Sequence, residues 1–166
     1  QMLLPGFVVE ELPVKLRNQN NLRFAPDGSL TVLGYDGSIQ RLRDADGDGL
    51  EESVSPYWTK PTLSVPLGMA WSDQGLFVSS KGKISLFRDS DGDGEADQEE
   101  IVASGWPSTD VGSGGVDATA VTLDDEGNVY FGLLVADYSN AYRLRARRDL
   151  KPDEIEWLKK IGRAHV

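Results

Sequence analysis

Short stretches of alternating hydrophobic and polar residues follow one another along the chain, separated by turns rich in Asp and Gly. Alternation with a period of two is typical of β-strands that bury one face. The pattern recurs in three similar segments, each with three apolar strands, of which the first two are joined by an Asp/Gly turn. The segments are LRFAPDGSLTVLGYDGSIQRL, MAWSDQGLFVSSKGKISLF and VTLDDEGNVYFGLLVADYSNAYRL. This self-similarity predicts an all-β chain built from repeats.

The spacing of the repeats indicates which all-β architecture they build. Their turn glycines, Gly28, Gly75 and Gly127, lie 47 and 52 residues apart. In the first two repeats an acidic loop and a fourth apolar segment follow, at residues 54–58 and 101–106. Four short antiparallel strands per repeat are typical of a β-propeller blade, and propellers close with 4–8 blades. We therefore expect a partial β-propeller of about three four-stranded blades, with a further strand at residues 5–12.

The end of the chain predicts a different element. Residues 149–160 have a possible N-cap at Asp149, a proline in the first turn and late lysines, which predicts a short amphipathic helix. The last six residues, 161–166, resemble a translated sequencing adapter, so we expect the propeller domain to occupy residues 1–160. That assignment removes His165, the only histidine, from any mechanism.

Composition excludes several classes of function. The chain of 166 residues has no Cys, so it has no disulfide framework and no thiolate metal site. Its formal net charge of −10 argues against nucleic-acid binding, which needs clustered Lys and Arg. No apolar run approaches the roughly 20 residues of a membrane-spanning helix.

The strongest chemical signal is a pair of acidic loops, RDADGDGLEE and RDSDGDGEADQEE. Carboxylates at positions 1, 3 and 5 of such a loop surround a hard cation, Gly at position 6 allows a sharp turn, and position 7 offers a backbone carbonyl. The spacing predicts two calcium sites, since oxygen ligands favour calcium over zinc or copper. The alternative is a pair of polar hairpin turns without metal.

The second loop matches the calcium pattern more completely than the first, because it also has an acid at position 12. The position 12 residue of the first loop is Ser55, so we expect that site to lose calcium first. The predicted ligands of the first loop are Asp44, Asp46, Asp48, the Leu50 carbonyl and Glu52. Those of the second loop are Asp89, Asp91, Asp93, the Glu95 carbonyl, Asp97 and Glu100.

Blade topology separates the two ends of the predicted sheets. The acidic loops join third to fourth strands and therefore lie on the same side as the Asp/Gly hairpins. Residues expected to converge on the opposite side include Asn21, Lys81 and Asp117, and if the protein has a substrate site, we expect it there.

Several motifs together, namely LPGF, NNLRFAPDGSL, the paired RDxDGDG loops and GMAWSDQGLFVSS, resemble the opening blades of a known family. This is the family of large planctomycete and verrucomicrobial propeller proteins described as membrane-bound dehydrogenase-like, related to glucose/sorbosone dehydrogenases. The resemblance covers nearly everything up to about Leu144. It implies a six-bladed propeller, export to the periplasm or the cell exterior, and a c-type haem domain elsewhere in the full-length chain.

The same resemblance implies oxidation of a sugar or alcohol with pyrroloquinoline quinone as cofactor. The catalytic Asp-His pair of such enzymes would fall on Gly115, Val116 and Asp117, where this sequence has no His. Two alternatives stay open: a non-catalytic, calcium-stabilised propeller that serves as a binding scaffold, and a gluconolactonase-type hydrolase using Asn20, Asn21 and Asp117 as metal ligands.

Overall fold

The computed structural model describes residues 5–106 and 118–133. Within these ranges it forms ten β-strands and no helix, so the all-β prediction is confirmed. The strands are β1 (Gln19–Phe24), β2 (Leu30–Gly34), β3 (Ile39–Arg43), β4 (Ser53–Trp58), β5 (Gly68–Ser72), β6 (Gly75–Ser80), β7 (Lys83–Arg88), β8 (Gln98–Ser104), β9 (Ala118–Leu123) and β10 (Val129–Leu133).

The strands form three antiparallel sheets in which neighbours along the chain are neighbours in space. The first sheet has the order β1-β2-β3-β4, the second β5-β6-β7-β8, and the third pairs β9 with β10. The two four-stranded sheets correspond to the first two predicted repeats. The described residues form no closed ring. The later strands predicted in the third repeat, the helix predicted at 149–160 and the segment 161–166 lie outside the described residues.

One hydrophobic core fills the space between the first and second sheets. Leu33 and Ile39 of the first sheet and Leu76 and Val78 of the second are fully or almost fully buried in it. The Trp58 and Phe87 rings cross it with centroids 4.7 Å apart. Alternate residues of β6 therefore face the first sheet, as the period of two requires.

A second core joins the opposite face of the second sheet to the third sheet. Phe77, Ile84 and Leu86 pack there with Val121 and Val129. The second sheet is thus covered on both faces, which explains why β6 reads as a nearly continuous buried strand.

The outer face of the first sheet is only partly covered. Leu22 and Phe24 of β1 are 55% and 66% exposed, whereas the equivalent first-strand residues Met69 and Val121 are 1% and 5% exposed. All four lie opposite a residue of the second strand of their own sheet. The difference arises because β5 and β9 each face a preceding sheet, whereas residues 5–106 and 118–133 place no sheet against the outer face of β1.

The strand predicted at residues 5–12 is not observed: residues 5–18 contain no strand, and β1 begins at Gln19. A strand needs a hydrogen-bonded partner, and the described sheets offer this segment none. Instead Leu12, Val14 and Leu16 pack against Leu30, Val32 and Leu42 on the outer face of the first sheet.

No helix among the described residues has the length and hydrophobicity needed to span a membrane.

Candidate metal centres

The two acidic loops connect β3 to β4 and β7 to β8, as the sequence predicts. In the first loop, one carboxylate oxygen from each of Asp44, Asp46, Asp48 and Glu52 lies within 4.8 Å of the others. In the second loop the same holds for Asp89, Asp91 and Asp93. The structure therefore brings together the acids at positions 1, 3 and 5 of both loops.

Backbone amides hold the first carboxylate of each loop in place. Asp44 accepts hydrogen bonds from the amides of Gly47 (2.6 Å) and Gly49 (2.9 Å). Asp89 accepts the corresponding bonds from Gly92 (2.7 Å) and Gly94 (2.9 Å). The two loops thus share one backbone conformation, although they lie in different sheets.

These four glycines have positive φ angles of 81–95°, a region that residues with a side chain rarely adopt. They allow each loop to curl around its carboxylates, which is the role that the sequence assigns to Gly49 and Gly94.

The later carboxylates of each motif are also fixed by amides further along. Asp46 and Asp48 accept from the amides of Asp48 and Leu50, at 3.1 and 2.8 Å. In the second loop Asp91 and Asp93 accept from the amides of Asp93 and Glu95, at 3.3 and 2.8 Å. Leu50 and Glu95, whose carbonyls are predicted ligands, therefore lie in the loops with their amides turned to the carboxylates.

A carboxylate eight residues after the first acid closes each loop. Glu52 accepts a hydrogen bond from the amide of Ala45 at 2.6 Å. Asp97 accepts one from the amide of Ser90 at 3.1 Å and another from the Ser90 hydroxyl. Glu52 belongs to the carboxylate cluster of its loop, while Asp97 is outside the cluster formed by Asp89, Asp91 and Asp93.

Glu100, the predicted ligand at position 12, lies away from the second cluster. It is in β8, opposite Leu86, and its Oε2 pairs with Nη1 of Arg88 at 2.6 Å. The calcium-loop pattern is taken from loops flanked by helices. Here the loop is flanked by paired strands, and position 12 already belongs to the returning strand.

Hydrogen bonds favour the ionised form of two of these acids. The amides of Gly49 and Gly47 hold the pKa of Asp44 below its usual value of 3.8. Hydrogen bonds from Ser90 lower the pKa of Asp97 in the same way. Ionised, oxygen-only donors arranged on a curled loop fit a hard divalent cation, and the flexible spacing suits calcium better than magnesium.

The residues expected on the opposite side of the sheets are engaged in packing. The Asn21 side-chain amide donates to the Leu67 carbonyl at 2.7 Å, and that of Asn20 donates to the Pro66 carbonyl, so both brace β1 against the segment before β5. The Lys81 amide donates to the Ser64 carbonyl at 2.8 Å. Asp117 lies outside the described residues.

A cleft between the first and second sheets is a feature that the sequence analysis missed. Its lining includes Arg41, Tyr57 and Trp71 together with Asp89 from the start of the second acidic loop. The one sequence signal was an arginine, Arg41, two residues after the apolar Ile39 and therefore on the same face of β3.

The sequence matches one protein family. Residues 18–158 match the family model described as "Domain of unknown function (DUF7133)". No curated protein is significantly similar to the chain.

The solved structures that are similar in fold include two from one carbohydrate-active enzyme family. They are titled "Iodide structure of Trichoderma reesei Carbohydrate-Active Enzymes Family AA12" and "Calcium structure of Trichoderma reesei Carbohydrate-Active Enzymes Family AA12". Each superposes with a TM-score of 0.57 at 16% identity over 72% of this chain. The alignments cover 31% and 30% of those chains, so this chain spans about a third of their length. The likeness shows a shared β-rich fold.

Proposed function

The chain belongs to the DUF7133 family, and we propose that it forms the calcium-binding part of an exported, propeller-type protein with a dehydrogenase-like scaffold. The observation that carries the proposal is the pair of acidic loops. The two loops lie in different sheets, and each positions three carboxylates. The first carboxylate of each loop accepts hydrogen bonds from two glycine amides at the same loop positions, and a fourth acid closes each loop. A metal-free turn needs only one acid to cap its backbone amides. A cluster of three or four carboxylates that recurs in two loops is therefore better explained by cation binding.

Calcium would act here as a structural ligand. Each loop joins the last two strands of a sheet, so a bound ion holds β3 to β4 and β7 to β8 at their connected ends. A ligand that binds only the folded state stabilises it by about 2.7 kcal/mol at a hundredfold excess over Kd. Sites of moderate affinity, with Kd of about 10⁻⁴–10⁻³ M, are typical of extracellular modules. Export to the periplasm or the cell exterior is the part of the proposal that comes from the family resemblance. Calcium binding is supported by the structure titled "Calcium structure" among the similar AA12 structures.

The propeller architecture is supported by the open face of the first sheet. Sheets stack face to face in the described part of the chain, and each later sheet buries its first-strand residues against the sheet before it. Leu22 and Phe24 repeat that pattern on β1 but remain exposed. A further sheet packed against them, in a longer protein of the size of the AA12 enzymes, would continue the series toward a ring of six blades.

The described residues do not fit pyrroloquinoline quinone. On the side opposite the loops, Asn20 and Asn21 use their side-chain amides to brace two sheets. The carboxylate of the β2–β3 turn, Asp36, accepts hydrogen bonds from Ser38 that lower its pKa, which makes it a poor general base. We therefore derive no catalytic step for this chain. This favours a scaffold role for these sheets. A sugar or alcohol substrate, a quinone cofactor and a c-type haem domain in the full-length protein are implied only by the family resemblance.

Thermal unfolding with and without calcium tests the proposal. We expect calcium to raise the Tm of the wild-type chain and magnesium at equal concentration to raise it less. Asp46→Asn and Asp91→Asn should each reduce the calcium effect, whereas Asp125→Asn, in an exposed turn of the third sheet, should leave it unchanged. An equal Tm in calcium and in chelator would overturn the proposal.

A further inference from the structure

The outer face of the first sheet has the same arrangement of residues as a face that is buried in the second sheet. Three residues of β2 and β3 on this face have counterparts at the same register positions of β6 and β7. The counterparts are Leu30 and Leu76, Val32 and Val78, and Leu42 and Phe87. In the second sheet they are buried in one core with Tyr57 and Trp58 of β4, from the first sheet. The outer face is therefore built to receive another sheet.

Residues 12–16 lie on the outer face in the position that β4 takes over the second sheet. Their leucine and valine side chains pack against β2 and β3 there, as Trp58 of β4 packs on Phe87 of β7. The residues between them are exposed, and this period of two is that of a strand. The segment thus has the side-chain pattern of an outermost strand, while the described part of the chain pairs it with no sheet.

The rest of the outer face, along β1, is open. Leu22 and Phe24 are 55% and 66% exposed. The counterpart of Leu22 in the third sheet, Val121, lies in the core between the second and third sheets, which also contains Phe77 of β6. A sheet that extended from residues 12–16 across β1 would bury Leu22 and Phe24 in the same way.

The third sheet presents a face that fits this surface. Val129 and Phe131 of β10 face the second sheet, so Tyr130 between them lies on the opposite face. Strand register gives Tyr130 the position that Phe77 has in the second sheet. Its hydroxyl donates to Asp124 at 2.8 Å, which holds the ring in place. Tyr130 is therefore placed to cover the first strand of a following sheet, as Phe77 covers β9.

The third sheet of the same chain cannot occupy the outer face, because the second sheet lies between it and the first sheet. The sequence predicts a helix at 149–160, where the first two repeats continue into their fourth strand, although these residues lie outside the described ones. The third repeat thus has no predicted fourth strand, and residues 12–16 have the pattern of a strand without a described sheet. In an assembly of this chain, the two features can complement each other only between different copies.

We propose that the third sheet of a second copy packs on the outer face of the first sheet and takes residues 12–16 as its outermost strand. Tyr130 of one copy then lies against Leu22 of the other. The contact is head-to-tail, so two copies make it twice and close a ring. Two copies of three sheets give six, which is within the range of propellers. The proposal rests on the propeller architecture proposed above and does not depend on calcium binding.

The net charge of the chain predicts how this dimer depends on salt. Each copy carries a formal net charge of −10, so two copies repel one another at low ionic strength. The proposed contact is made by apolar and aromatic side chains, which do not rely on charge. Salt screens the repulsion and should therefore strengthen the dimer, whereas a dimer held by ion pairs would weaken.

Sedimentation equilibrium of the 166-residue chain over a range of protein concentrations tests the proposal. We expect a reversible dimer of twice the 18.1 kDa monomer mass. Leu22→Lys should raise the dimer Kd about a hundredfold, because two leucines per dimer lose their burial. Ile101 of β8 is 56% exposed, as Leu22 is 55% exposed, and lies outside the proposed contact. Ile101→Lys should therefore leave the Kd unchanged.

Mixing two variants tests the head-to-tail geometry. Tyr130→Lys alone should also dissociate the dimer. An equimolar mixture of Tyr130→Lys and Leu22→Lys should associate more tightly than either variant alone, because one of its two contacts then has both native residues. This recovery would also show that both variants are folded.

Five results would overturn the proposal: a monomer at every concentration, equal losses in Leu22→Lys and Ile101→Lys, a dimer that persists in Tyr130→Lys, species larger than a dimer, or a dimer weakened by salt. A monomer would leave the outer face to a further sheet of a longer protein. Persistence in Tyr130→Lys would mean that the two outer faces pair with each other, and larger species that the contact closes no ring. The effect of calcium on the Tm is measured separately in Leu22→Lys, so a failed dimer and failed calcium binding are distinguishable.

Discussion

Truncation of equivalent residues in the first two sheets should have unequal effects on stability. Met69 of β5 is 1% exposed, and replacing a buried Met by Ala costs about 2–5 kcal/mol through lost burial and the cavity left behind. Leu22 takes the same place on β1 but is 55% exposed. More than half of its surface is already in water, so Leu22→Ala should cost about 1 kcal/mol.

Urea-induced unfolding, followed by tryptophan fluorescence, measures both variants against the wild-type chain. We expect equal m-values and a clearly lower midpoint for Met69→Ala than for Leu22→Ala. A longer protein in which a further sheet packs against β1 should remove the difference, because Leu22 would then be buried. The reasoning is refuted if Leu22→Ala costs as much as Met69→Ala in this chain at every protein concentration. A cost that rises with concentration would instead show that a second copy covers the face.

Three further changes follow from individual contacts. Glu99→Gln should lower the free energy of unfolding by about 1–3 kcal/mol, measured in urea, because Glu99 and Lys83 are only 12% and 16% exposed and Lys83 loses its ion pair. Gly75→Ala should lower the Tm more than Gly127→Ala, since at Gly75 a Cβ would clash with a backbone oxygen of β7, whereas the space at Gly127 is open. Hydrogen bonds from Asn128 lower the pKa of Asp124 to about 2, so its contribution to stability is present above pH 3.8 and is lost as the pH falls toward 2. Unfolding in a pH series should show a shallower acid loss for Asp124→Asn, and an unchanged slope would contradict this.

Most of the fold prediction depended on the positions of the turn glycines. Aligning the repeats on Gly28 and Gly75 places Leu22 beside Met69 in register, and the structure pairs them with Val32 and Val78 of the adjacent strands. A period of two and a fixed repeat length determine strands, order and buried face, so these features could be predicted.

The calcium pattern predicted only part of how the acidic loops close. It includes Glu52 and Asp97, which accept hydrogen bonds from loop amides eight residues after the first acid. It also predicts Glu100 at position 12 as a ligand, whereas Glu100 lies away from the second cluster. The reason lies in the paired strands, which take Glu100 into β8 and toward Arg88. The cleft was missed for a related reason: Tyr57 and Trp71 are distant in sequence, and only the stacking of two sheets brings them to Arg41.

The most direct test of the central claim is calorimetric titration of calcium into the chelator-stripped chain. The account predicts binding with Kd of about 10⁻³ M or tighter, weakened by Asp91→Asn in one loop and Asp46→Asn in the other, and abolished when both are changed. Absence of heat, or titrations that are identical for the wild type and the double variant, would contradict it and leave the two loops as amide-capped turns without a metal.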